Sequence, residues 1–143
     1  MSRQKQTLSE PAPQIMIEMR CRACHTAVTV PLRLLATLPP RVVGAKEPLV
    51  ERGAAVFTHI LRAAGNAAVR YTLDHGVVVN TQDALKTTCY QSSFGCCGHS
   101  PSDGPNLLCR NGHLIGSLAD DCTDRHFAHL SLQHCELFPL APA

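Results

Sequence analysis

Residues 15–32 read IMIEMRCRACHTAVTVPL. Side chains alternate through the opening stretch. Ile15, Ile17, Met19 and Cys21 fall on one face, and Met16, Glu18 and Arg20 on the other. A period of two is that of a strand with one face against a core. The tetrad Cys21-Arg22-Ala23-Cys24 follows. Residues 25–32 come next, rich in β-branched side chains that suit a pleated surface. Strand, C-x-x-C turn and return strand have the outline of a zinc-knuckle hairpin. The stretch therefore predicts a β-rich chain that presents a pair of thiols at a hairpin tip.

Working outward, residues 1–14 are polar, carry Pro11 and Pro13, and read as a disordered lead-in. They lack the apolar run of a signal peptide, so the expected location is the cytoplasm. Residues 32–46 read as a connector broken by Pro39, Pro40 and Gly44. Over residues 48–64, Leu49, Val50, Phe57, Ile60, Leu61 and Ala64 fall near one helical face, and Pro48 suits a first turn. Gly53, Val56 and Thr58 oppose that helix. Residues 67–73 alternate through Val69, Tyr71 and Leu73. Asp74, His75 and Gly76 make a turn into a strand at Val77, Val78 and Val79. Asn80 or Thr81 caps a short turn of helix through Leu85. Residues 127–132 (FAHLSL) read as a last strand.

The chain has 143 residues, room for one domain. Its hydrophobic content is ordinary at 45%, but aromatics are 4% and Trp is absent, so an extra staple is expected. The net charge of +2 does not point to nucleic acid. Residues 1–73 hold ten Lys/Arg and four Asp/Glu, and residues 74–143 hold three and seven. Such halves either attract each other within one fold or present a basic face to an acidic partner; the first is favoured, because no dense basic run exists. No segment approaches the apolar length of a membrane span.

Cysteine carries the chemistry. In a reducing compartment, eight Cys favour metal over disulfides. Zinc takes four thiolate or imidazole donors in a tetrahedron, and a C-x-x-C turn places two sulfurs on one ion. Cys21 and Cys24 supply two. No third Cys follows before Cys89, so the rest come from beyond residue 88, unless His25 or His59 contributes. Residues 89–122 contain five Cys and many turn residues and read as a segment held by metal. There Leu107, Leu108 and Cys109, followed by Arg110, Asn111, Gly112 and His113, look like a second knuckle that lacks the second Cys. The fourth ligand is then Cys97, Cys96 or Cys122. Adjacent cysteines point to opposite sides of an extended backbone, and Cys97 is taken as the ligand with Cys96 as its alternative. The expected zinc set is Cys21, Cys24, Cys97 and Cys109.

Other readings are weaker. Cys21 to His25 spell C-x-x-C-H, the haem-attachment motif, but the flanks read as strands and Met16 and Met19 are poorly placed as axial ligands. A redox dithiol at Cys21 and Cys24 calls for a helix after the first Cys. Cys122, His126 and His129 have the spacing of a second ion site, though such histidines more often lie on a half-exposed element. Asp120, Asp121 and Asp124 read as a solvated turn. No H-E-x-x-H, Walker or G-x-S-x-G motif occurs.

Gly95 to Gly98 (GCCG), Asp103-Gly104-Pro105-Asn106, Leu107, Leu108, Cys109, Gly112 and Asp121-Cys122 form a pattern. With Cys21, Cys24, Pro31 and Leu32, it resembles a family of uncharacterised bacterial cysteine-rich proteins common in actinobacteria. The likeness covers both ends of the domain and is loose in the middle. Relatives often carry Gly where this chain has Ser100, Pro101 and Ser102, and an aromatic at Thr123. The resemblance implies a shared fold and a metal site and names no activity.

The sequence thus predicts an α+β, mostly β, single domain over residues 15–143 with a zinc-ribbon-like core. Its expected role is that of a binding or regulatory module of unknown partner. An enzyme with an open zinc site and a thiol redox protein are the alternatives.

Overall fold

The computed structural model describes residues 14–37, 47–66, 69, 75–122 and 125–140. Apart from Gln14, the expected lead-in lies outside them, as does nearly all of the strand expected over residues 67–73. The chain is mostly β, a single small domain built on one mixed sheet. Among the described residues nine strands follow in chain order: β1 (Ile15–Cys21), β2 (Leu32–Leu35), β3 (Ala54–Phe57), β4 (Gly76–Val79), β5 (Thr88–Cys89), β6 (Leu107–Leu108), β7 (Leu114–Ala119), β8 (Phe127–Ser131) and β9 (Cys135–Pro139). One helix, α1 (Thr58–Ala63), follows β3. The sheet order is β5-β6-β7-β8-β4-β3-β2-β1-β9. Only the β2–β3 pair is parallel among these neighbours.

The alternation read in β1 is realised: Ile17, Met19 and Cys21 are buried, and the residues between them are half-exposed. The return segment bonds to β1 through Cys21 N–H to Thr26 O (2.9 Å) and Val28 N–H to Met19 O (2.8 Å). Regular strand resumes only at Leu32, so part of the expected connector over residues 32–46 is β2. The helix expected over 48–64 is shorter than its pattern. Val56 pairs with Val78 and Phe57 with Val77, so sheet pairing takes the β-branched stretch and helix begins only at Thr58. Asn80 does cap a short turn, accepting the Gln82 N–H at 2.9 Å.

Strands β4 and β8 are buried throughout, because both faces of the sheet are covered there. Val77, Val79, Ala128 and Leu130 join Ile17, Met19, Leu32, Leu107 and Ile115 in the inner core. Val78 and Phe127 face the other way, against Leu61 of α1 and against Leu49 and Val50. His129 shares that outer face, its Nδ1 lying 2.8 Å from Thr58 Oγ1. Residues 89–122, expected to be held mainly by metal, also contribute Leu107, Cys109 and Ile115 to the inner core.

The sheet is strongly curled. β6 is second in the order and β1 eighth. In a flat sheet, strands spaced about 4.8 Å apart would set them about 29 Å from each other. Yet Cys24, just past β1, has its Sγ 3.8 Å from that of Cys109, just past β6. Cys135 of β9 likewise lies 3.6 Å from the Ile115 carbonyl of β7. Side chains meet across this seam; among the described residues no strand ladder crosses it.

The segment leading into β6 is rigidly anchored. Asn106 is buried and bonds both ways to Leu118, its Oδ1 accepting the N–H at 2.7 Å and its Nδ2 donating to the carbonyl at 3.1 Å. Gly104 precedes it with φ of +114°, a region closed to β-branched residues. Gly104→Val should therefore destabilise the fold by about 1–3 kcal/mol. Thermal unfolding checks this: an unchanged melting temperature would show the loop to be a mere linker.

Candidate metal centre

Two turns meet at the seam. In the first, the backbone reverses over Cys21 to His25. The His25 N–H donates to the Cys21 carbonyl at 2.7 Å, and His25 itself takes a left-handed φ of 62°. In the second, Gly112 (φ +84°) donates its N–H to the Cys109 carbonyl at 2.9 Å, and Cys109 N–H closes onto His113 O at 2.9 Å. The Asn111 N–H also points at Cys109 Sγ, at 3.3 Å. Each turn thus brings two donor side chains to one side of its hairpin: Cys21 with Cys24, and Cys109 with His113.

These four donor atoms all lie within 4.8 Å of one another, and the group could hold a metal ion. Cys24 Sγ is 3.8 Å from Cys109 Sγ, Cys21 Sγ 3.8 Å from His113 Nδ1, and Cys109 Sγ 3.4 Å from the same nitrogen. A tetrahedral ion with bonds of about 2.3 Å to sulfur and about 2.0–2.1 Å to nitrogen spaces its ligands about 3.8 Å (S to S) and about 3.6 Å (S to N) apart. The three separations, 3.8, 3.8 and 3.4 Å, lie close to those edges. Cys21 and Cys109 are buried and Cys24 and His113 half-buried, so the group lies at the rim of the inner core.

Local electrostatics differ among the donors. The Thr26 hydroxyl and backbone, followed by Asn111, favour the Cys24 thiolate and pull it down to about 5. Burial opposes ionisation of Cys109, but hydrogen bonds from His113 and Asn111 outweigh it and lower that thiol. Burial raises Cys21. His113 is raised by its hydrogen bonds to Cys24 and then Cys109, which favour its cation. Two of the three thiols, Cys24 and Cys109, therefore tend toward thiolate, the form in which cysteine ligates metal.

Three of the four sequence-expected ligands, Cys21, Cys24 and Cys109, are brought together. The structure places Cys97 elsewhere, in a second group with Cys96 and Cys122 that could also hold a metal ion. His113 is the fourth member of the first group. The second knuckle's shape is legible in the sequence, and the imidazole of His113 directly after its Gly turn is the local signal for this donor. His25 and His59 belong to neither group, and neither His126 nor His129 joins Cys122. His126 Nε2 lies 3.3 Å from the Asp121 carbonyl instead. Asp121, expected in a solvated turn, is buried and receives backbone N–H groups.

All eight cysteines are free thiols. A cleft of about 360 Å³ lies beside the first group, lined by Cys21, Arg22, Ala23, His113, Leu114, Gln133 and His134. No family model, no curated protein and no solved structure matches this chain.

Thiol reactivity should report this arrangement. Cys96 and Cys97 are exposed, whereas Cys135 is buried and pushed up to about 12, first by burial and then by its neighbouring thiols. Alkylation of the native protein at neutral pH, followed by peptide mass spectrometry, should label Cys96 early. Cys135 should stay unmodified until the chain unfolds. Early labelling of Cys135 would mean that the seam opens in solution.

Proposed function

We propose that this chain is a zinc protein whose Cys21, Cys24, Cys109 and His113 form a structural site, within a binding or regulatory module. The observation that supports the reading most is the tetrahedral spacing of three sulfurs and one nitrogen drawn from two turns far apart in sequence. Three thiolates and an imidazole are a common zinc donor set, and structural zinc is closed by four protein ligands. Four donors leave no position for a substrate or an activated water, which favours a structural role over a hydrolytic one. The paired turns resemble those of a zinc ribbon, carried here on a much larger sheet. The resemblance to the bacterial cysteine-rich family fits this reading, since its pattern contains Cys21, Cys24, Cys109 and Gly112.

Bound zinc would join the C-terminal end of β1 to the loop between β6 and β7. Its binding energy would then add to folding, on the order of 10 kcal/mol in small zinc domains. The rival reading is a redox pair of Cys21 and Cys24, favoured by the low Cys24 thiol. It predicts that both thiols react with a disulfide reagent before any metal leaves.

The test is zinc content and melting temperature of purified protein after brief exposure to a chelator that strips open sites. Wild type should retain one equivalent. Cys24→Ser, Cys109→Ser and His113→Ala should each lose it and melt earlier, because serine and alanine are poor or absent zinc ligands. Cys97→Ser should keep it. Retention by His113→Ala would remove the imidazole from the site. Retention by Cys24→Ser alone would confine the site to the C-terminal half and refute the cross-chain link.

A further inference from the structure

Cys96, Cys97 and Cys122 form a second group whose sulfurs all lie within 4.8 Å of one another. One carboxylate assembles it. Asp121 accepts the backbone N–H of Cys96 at 3.3 Å, of Cys97 at 3.0 Å and of Cys122 at 2.8 Å. The Cys97 thiol points at Asp121 Oδ1 at 3.3 Å, and Cys122 N–H points at Cys97 Sγ at 3.2 Å. The turn is closed by Gly95 N–H donating to Gly98 O, between the bridged residues Phe94 and His99. Its glycines are required by contact: a Cβ on Gly95 would strike the Asp121 carboxylate, and one on Gly98 the Asp120 carbonyl. The loop is thus pressed against Asp120 and Asp121, and this brings Cys122 to the adjacent pair. The expectation that neighbouring cysteines diverge fails here because the chain at 95–98 is a tight turn rather than extended.

Capping a turn accounts for the carboxylate but not for thiols at all three positions. Free cysteine is ordinarily among the most buried residues, yet Cys96 and Cys97 are exposed and Cys122 half-buried. We infer that Cys96, Cys97 and Cys122 are a second, solvent-open metal site that takes a soft, thiophilic d10 cation on three thiolates. An ion centred among three sulfurs at about 2.3 Å spaces them about 4.0 Å apart, within reach of the observed grouping. Three sulfurs and no imidazole select soft ions over hard ones. Without a cation, Cys122, burial and Asp121 together push the Cys97 thiol up to about 11. A bound cation replaces the protons and offsets the repulsion among thiolates. The site differs from the seam site in lacking a fourth protein donor, so one face of its ion stays open to an incoming ligand, and its ion is the one that exchanges.

Cadmium(II) is the probe, added to zinc-loaded full-length protein under anaerobic, reducing conditions. Thiolate-to-metal absorption and elemental analysis measure the added equivalents. Wild type should take up one equivalent while its seam zinc stays bound, and a chelator should remove that cadmium first. Cys96→Ser, at an exposed position, should lose this uptake without a change in melting temperature, and Cys122→Ser should do the same. Seam variants that lose zinc, such as His113→Ala, report on the other site, so failure of one reading is separable from failure of the other. No uptake by wild type, unchanged uptake by Cys96→Ser, or a disulfide within the trio that persists in reductant would each overturn the proposal.

Discussion

The approach of Cys24 and Cys109, with sulfurs 3.8 Å apart, is the contact on which the shape of the molecule depends. It joins strands that stand six places apart in the sheet order, and so it measures how far the sheet has curled. A curled sheet needs something at its seam, because edge strands leave backbone groups unpaired and an apolar interior open to water. Here no ladder crosses among the described residues, and the seam is met by thiol and imidazole side chains. Buried Cys21, Cys109 and Cys135 belong at once to that seam and to the inner core. The donor cluster and the hydrophobic interior are one continuous packing unit.

Strands β4 and β8 are covered on both faces: β4 is a valine run, and β8 buries Phe127, Ala128 and Leu130. The outer face over these strands is closed by α1 and by Leu49 and Val50, with Phe127 as the one large ring in that cluster. Helix formation is confined to six residues because the preceding Ala54–Phe57 segment gains more from pairing with β4 than from extending the helix.

The two cysteine groups differ in what builds them. At the seam, sheet curvature brings two turns together, and the sulfurs sit at the rim of the core. At Cys96, Cys97 and Cys122, one carboxylate gathers three backbone N–H groups, and the sulfurs face solvent. The same N–H groups hold Asp121 down to about 2, Cys97 first and Cys122 next. Its charge therefore persists through the neutral range. A buried donor set suits a permanent link, and an exposed one suits exchange.

Much of this was legible in the residues themselves. The alternation of Ile15 to Cys21, the valine run at 77–79, the cap at Asn80 and the strand at 127–131 are local patterns, and local patterns survive folding because they reflect backbone geometry and burial period. The C-x-x-C pair and the knuckle shape around Cys109 were readable for the same reason: a Gly turn and a short thiol spacing are properties of a few consecutive residues. The partners of those thiols were not. Whether Cys97 or His113 completes the group with Cys109 depends on which way a sheet curls and on where Asp121 draws the GCCG turn. Both are contacts between residues distant in sequence. The sequence by itself determined a β-rich chain with thiol-bearing turns at both ends. Tertiary structure alone decided which thiols meet, because sulfur positions are set to within an ångström by strand order and seam closure, and no spacing along the chain encodes either.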